Sequence, residues 1–263
     1  MKLLSFIKKS FVIITACLLF IIIAGFVYTA AYGYYNADEQ AIILKNYSNI
    51  QDNFYSDSNT TDTVKAIKQM DDFISSLSPN VAKVFSKDWG FIVTDKLPQR
   101  TEHITDETYS DSDVLNEHSF IVGISNWRTR TVFIKLESDK AKLHSIFIHE
   151  LGHCFDHEFG SLSSTDEFEN IYSLYKDSYV EQTCYSPEKY ASISESEFFA
   201  TLFKEYFISP NHLKLQAPEA YDFIDSIYTK VSGDDSADTT LKYDLQSVTI
   251  KFKNLFNKLQ SDL

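Results

Sequence analysis

The sequence predicts an α+β domain, mostly helical with a small mixed sheet, preceded by a single transmembrane helix. Three observations lead there. Residues 11–29 run for nineteen positions without a charge, and at about 1.5 Å per residue a helix of that length crosses the hydrocarbon core of a bilayer. Beyond that run, most apolar residues recur at three- and four-residue steps, the helical period. Three short runs, 90–97, 119–125 and 131–136, carry β-branched and aromatic residues between turn signals and read as strands.

Composition sets the outer limits. The chain has 263 residues, 44% of them hydrophobic and 15% aromatic, enough for a packed core. Its formal net charge is −13 and no basic tract points to nucleic acid. Three cysteines are too few for a disulfide framework.

Residues 1–10 form a basic segment with Lys2, Lys8 and Lys9, and residues 11–32 form the anchor. The apolar run exceeds the roughly 7–15 residues of a cleaved signal peptide, which favours an uncleaved signal anchor. Cleavage near Ala31 would instead give a secreted form. The lysines stay on the cytoplasmic side, so residues 36–263 lie outside the cell. Tyr28, Tyr32, Tyr34 and Tyr35 then form an aromatic belt at the outer interface. All 37 acidic residues follow position 35. A domain of that charge is repelled by anionic lipid and stands off the membrane. The expected location is therefore the cell membrane, single-pass, with an extracellular domain.

Residues 36–61 are polar and read as a stalk or linker, with a helix over 41–55 and a flexible SDSNTT stretch over 56–61. Residues 62–232 form the main domain. Val64, Ile67, Met70, Phe73 and Leu77 mark its first amphipathic helix, and Pro79 opens a second, short one through Phe85. The strand at 90–97 is followed by a polar, acidic loop over 100–117. The runs 119–125 and 131–136 make a hairpin around Asn126-Trp127-Arg128, and the second of them offers an edge for an extended peptide. Further helices fall at 164–175, 192–207 and 217–231, the last opened by Pro218. Residues 233–263 form an amphipathic helical tail. Its Leu241, Leu245, Val248, Phe252, Leu255 and Leu259 give a heptad-like seam for packing on its own domain or for self-association.

The stretch 143–160, LHSIFIHELGHCFDHEFG, carries the chemistry. Leu143, Ile146, Phe147 and Leu151 give it the helical period; Ser138 or Asp139 can cap its start and Gly160 its end. Within it His149-Glu150-Leu151-Gly152-His153 is an H-E-x-x-H pattern. Residues four apart share a helix face, so His149 and His153 can point imidazole nitrogens at one metal ion, with Glu150 beside it as a base. Zinc takes such nitrogen and oxygen ligands and keeps one position open when it is catalytic.

A third protein ligand is needed. The metzincin extension fails, since its glycine and histidine positions hold Asp156 and Phe159. His157 is rotated about 40° from His153 around the helix. His103, His118, His144 and His212 are scattered. A later glutamate is the other solution, with Glu195, Glu197 and Glu205 as candidates. Ser192 with Glu195, and Ser194 with Glu197, both have capping-box spacing. The pattern leaves Glu197 equally open to a capping role and to the metal.

HELGHCFDHEFG, followed by YASISESEFFA over 190–200, resembles the catalytic domain of anthrax lethal factor, a zinc metallopeptidase family that includes the secreted Pro-Pro endopeptidases. The likeness covers roughly residues 133–231. It implies a zincin-like fold, one Zn2+ per chain, His149, His153 and Glu197 as ligands, and Glu150 as general base. It also implies Tyr190 as a hydrogen-bond donor to the tetrahedral oxyanion and a peptide or protein substrate. The expectation is a membrane-anchored extracellular zinc endopeptidase. The alternative is a non-catalytic, zinc-binding surface module for adhesion or interaction. One departure is Thr201, where the lethal factor toxin has glutamate; Asp156 or Glu205 is the substitute acceptor for a ligand histidine. Cys154 and Cys184 are either bridged across the site or both free.

Overall fold

The computed structural model describes residues 35–98, 122–182 and 190–233. The N-terminal apolar stretch, the acidic loop and the C-terminal tail lie outside those residues. Among the described residues no helix is long and apolar enough to cross a membrane.

The chain enters through helix α1 (Ala37–Leu44), capped by the Asn36 side chain, and then makes strands β1 (Ser48–Gln51) and β2 (Phe54–Ser56). The helix expected over 41–55 therefore stops early, and the stretch read as a stalk supplies part of the sheet. Local chemistry explains the difference. Asp52 adopts a left-handed backbone, φ 44°, which turns the chain back on itself. Asn53 reaches the carbonyls of Phe85 and Trp89, at 3.0 and 2.7 Å, and Phe54 is fully buried between them and the core.

Helix α2 (Thr61–Ser76) carries Ile67, Met70 and Ile74 into the core, and α3 (Pro79–Asp88) carries Val81 and Phe85. Strand β3 (Gly90–Thr94) follows, then the hairpin of β4 (Gly123–Asn126) and β5 (Thr131–Lys135). That hairpin agrees with the sequence reading. The five strands form one mixed sheet in the order β1-β2-β3-β5-β4. β5 runs parallel to β3 on one side and antiparallel to β4 on the other. The edge expected at 131–136 is thus an interior strand, and β4 is the outer one. Turn geometry fixes the hairpin but not its neighbour; β3 is available to β5 because both have β-branched and aromatic residues on two faces.

Alternation along the strands divides the sheet into two faces. Phe54, Phe91, Val93, Val132 and Ile134 enter the main core, while Ile92, Ile124 and Phe133 pack with Ile43 of α1. On β4 this sends Ile124 toward α1 and leaves Gly123 and Ser125 on the opposite face.

That opposite face is covered by α4 (Lys140–Glu158), whose first turn is capped by Asp139 accepting from the amides of Ala141 and Lys142. Its far end is fastened by Glu158, which accepts from the Trp89 indole at 3.2 Å and from Arg130 Nη2 at 3.2 Å. A short 3-10 turn (Leu162–Ser164) leads to α5 (Asp166–Tyr175), and a second (Tyr190–Ser192) leads to α6 (Glu195–Ile208). Helices α7 (Pro210–Gln216) and α8 (Pro218–Gly233) complete the layer. Of these, α7 is a short helix set apart from α8 and framed by Pro210 and Pro218.

Helices α4 and α6 touch closely at Gly152. A Cβ there would stand 2.8 Å from the Ala200 Cα and 3.1 Å from its carbonyl oxygen. The missing side chain is what lets the two backbones meet, and Phe155, Phe199 and Phe203 fill the space around that crossing.

Candidate metal centre

Helix α4 supplies His149, Glu150 and His153, and the first turn of α6 supplies Ser196 and Glu197. The Gly152–Ala200 approach lies between the two histidines along α4, so it sets how near the two sets of side chains come. Ser194 is the N-cap of α6 and accepts from the Glu197 amide at 3.2 Å. Only the backbone of Glu197 is used in that cap. Its carboxylate is free to turn toward α4. Glu195 is exposed, and the Ser192 carbonyl accepts from the Tyr172 hydroxyl.

Glu197 Oε2 lies 3.1 Å from His149 Nε2 and 3.5 Å from His153 Nε2. One ligand atom from each of the three residues falls within 4.8 Å of the others. The imidazoles meet edge to face at 4.9 Å between centroids. Two neutral-capable imidazoles and one carboxylate, with no thiolate, are the donor set of three-ligand catalytic zinc sites. Both Nε2 atoms converge on the same carboxylate oxygen, which a cation between them satisfies, so the residues present fit the ion.

Electrostatics follow from this packing. Burial pushes Glu197 up, but the two histidines hold its carboxyl far below the usual carboxylate range. Burial lowers His153, yet the charge and hydrogen bond of Glu197, aided by Glu150 and Asp156, outweigh it and lift the imidazole to about 9. Burial raises Glu150 more than the neighbouring histidines and Ser125 lower it. An elevated carboxyl next to a metal site is suited to carry a proton through a reaction cycle.

Glu150 is held by the outer strand. Ser125 Oγ donates to Glu150 Oε2 at 2.6 Å, and Gly123 leaves the room that the carboxylate occupies. Neither residue was singled out in the sequence; the strand period and the edge position of β4 together were the signal that could have found them.

The remaining candidates sit elsewhere. Asp156 accepts from the Ser163 amide at 2.7 Å and hydroxyl at 2.6 Å, pinning the turn after α4 rather than bonding a histidine. Glu205 is fully buried beside Lys204, whose ammonium also pairs with Glu181 at 2.6 Å. Asp156 is thus committed to Ser163, and Glu205 sits beside the Lys204 ammonium at 3.7 Å. His157 packs on Trp127, His144 on Phe73, and His212 Nε2 on the Val180 carbonyl. Cys154 is a free, buried thiol on α4, 4.0 Å from Ser125 Oγ. Tyr190 opens the 3-10 turn that feeds α6; its side chain, Cys184, His103 and His118 lie outside the described residues.

A family model described as anthrax toxin lethal factor, N- and C-terminal domain, matches residues 49–227. Among solved structures, the chain is similar to the Pro-Pro endopeptidase from Paenibacillus alvei, with 21% identity and a TM-score of 0.42. That match covers 65% of this chain and 94% of the other. No curated protein sequence matches.

Proposed function

Since the chain belongs to the anthrax toxin lethal factor family, we propose that it is a zinc-dependent endopeptidase. The observation that carries this reading is the convergence of His149, His153 and Glu197 with a buried carboxylate, Glu150, on the same helix turn. A purely structural zinc site has no use for that fourth group, whose burial costs desolvation free energy that a proton-transfer role accounts for.

His149, His153 and Glu197 would hold one zinc ion. Zinc there supplies a Lewis acid that polarises a carbonyl and acidifies a water. Glu150 takes a proton from the attacking water as its oxygen adds to the scissile carbonyl carbon. It returns that proton to the amine nitrogen as the C–N bond breaks. Ser125 keeps the Glu150 carboxylate turned toward the outer strand, where the peptide lies. Tyr190, carried by the turn that leads into α6, donates a hydrogen bond to the carbonyl oxygen as it gains charge.

An extended peptide adds to the outer strand β4 through main-chain hydrogen bonds. This moves the substrate edge from the interior strand β5 to its hairpin partner, directly above Glu150. Residues 62–232, together with the strands at 48–56, form the catalytic domain. The lysine-flanked apolar stretch at 11–32 supports a signal anchor that leaves the domain outside the cell, and the acidic charge of that domain suits a position away from the lipid surface. The tail at 233–263 offers a seam for self-association.

Cleavage of a diverse peptide library by the full-length chain, followed by mass spectrometry, tests this reading. Cuts abolished by a zinc chelator and absent from Glu150→Gln are expected. Equal cleavage by Glu150→Gln would refute the mechanism, and chelator-insensitive cleavage would refute the metal.

A further inference from the structure

The first turn of α6 touches His153 twice. Glu197 Oε2 faces its Nε2 at 3.5 Å, and Ser196 Oγ faces its Nδ1 at 3.2 Å. The two contacts come from consecutive residues on one capped, rigid turn. An imidazole that offers Nε2 to a cation keeps its proton on Nδ1, and that N–H needs an acceptor that fixes both the tautomer and the ring plane. Carboxylates and backbone carbonyls usually serve. Asp156, on the same helix, has its two oxygens engaged by the Ser163 amide and hydroxyl.

We propose that Ser196 is a positioning residue for the metal site: its hydroxyl accepts from His153 Nδ1–H and holds the imidazole in the orientation that binds zinc. This rests on the zinc-site reading above. The placement is economical in sequence, because Ser196 and Glu197 move together with α6. A shift of that helix would release the ligand carboxylate and the imidazole's acceptor at once. A hydroxyl is a weaker acceptor than a carboxylate, so the site keeps a histidine that is well oriented but less basic than one backed by Asp or Glu.

The test is zinc affinity of the full-length chain, measured by competition with a chromogenic chelator. Wild type, Ser196→Ala and Ser196→Thr are compared, with melting of each metal-free protein alongside. Ser196→Ala is expected to lose zinc affinity by roughly 10-fold, the low end for loss of such an outer partner, while its metal-free melting stays at the wild-type value. Ser196→Thr, which keeps the hydroxyl, is expected to hold wild-type affinity. Unchanged affinity in Ser196→Ala, an equal loss in Ser196→Thr, or a parallel fall in metal-free melting would each overturn the positioning role while leaving the zinc site intact. Failure of the wild-type chain to bind zinc would overturn the site itself, and this role with it.

Discussion

Gly123 and Glu150 occupy the same space: a Cβ on the strand residue would lie 2.7 Å from both Cγ and Cδ of the helix residue, and closer still to Oε1. The outer strand and the carboxylate proposed as the general base are therefore fitted to each other before any substrate arrives. Gly123→Ala meets only the end of a flexible side chain, which can swing aside. Stability should hold or rise slightly, since a strand glycine costs about 0.5–1 kcal/mol relative to alanine. The displaced carboxylate is the proposed proton carrier, so kcat/KM is expected to fall by at least ~100-fold, the lower range for loss of a general base. Steady-state kinetics with the zinc content measured in the same sample checks this. Wild-type turnover in a folded, zinc-loaded Gly123→Ala protein would sink the assignment of Glu150.

Metal removal makes a second prediction. Zinc that binds only the folded chain stabilises it by about 2.7 kcal/mol when present at a hundredfold over its dissociation constant. For a chain of this size that raises the melting temperature by roughly 5–10 °C. Glu197→Gln keeps the shape but loses the anionic oxygen that both Nε2 atoms approach at 3.1 and 3.5 Å. The zinc-dependent rise should shrink to near zero in that variant. A full rise in Glu197→Gln would place the metal elsewhere.

The sequence made the candidate metal site more legible than the sheet. The H-E-x-x-H helix carries its information locally, in a four-residue step that any α-helix turns into a shared face. Glu197 could not be separated from a capping role by pattern, because both roles use the same turn; the structure shows that the amide caps while the carboxylate faces the histidines. Sheet order was out of reach for a physical reason. The parallel pairing of β3 with β5 joins segments some forty residues apart, and no turn residue encodes it. The strands at 48–56 were hidden because they are short and polar. Their partners are the side-chain bonds of Asn53 and the burial of Phe54, neither of which shows as a period. Ser125 and Ser196 were missed for a similar reason: a serine among many is marked only by what it touches.

Cys154 gives a third prediction. Burial, then the charge of Glu150, pushes its thiol well above the ordinary range. A neutral, inaccessible thiol does not react as a nucleophile. Peptide mapping after brief treatment of the native full-length chain with an alkylating reagent should find Cys154 unmodified, and modified fully once the protein is unfolded. Native labelling, or a bridge from Cys154 to Cys184, would contradict the packing of α4 against β4.

Gly152→Ala offers the sharpest sign. In a solvent-facing helix this change is stabilising by about 1 kcal/mol. Here the added methyl meets the Ala200 Cα at 2.8 Å and the Phe203 Cβ at 3.2 Å. Backbone atoms cannot step aside as a side chain can, so α4 and α6 must separate. Overpacking of that kind costs typically 1–3 kcal/mol, which exceeds the helical gain. The two helices also divide the proposed metal ligands between them, so the same displacement opens the distances between Glu197 and the histidines. Two readouts are therefore expected to move together: lower stability in denaturant titration of the metal-free chain, and weaker zinc binding by chelator competition. A variant that is more stable than wild type would show that the helices are not in contact at this point. A variant that is destabilised yet binds zinc with unchanged affinity would show that the ligand geometry is set by something other than the α4–α6 crossing.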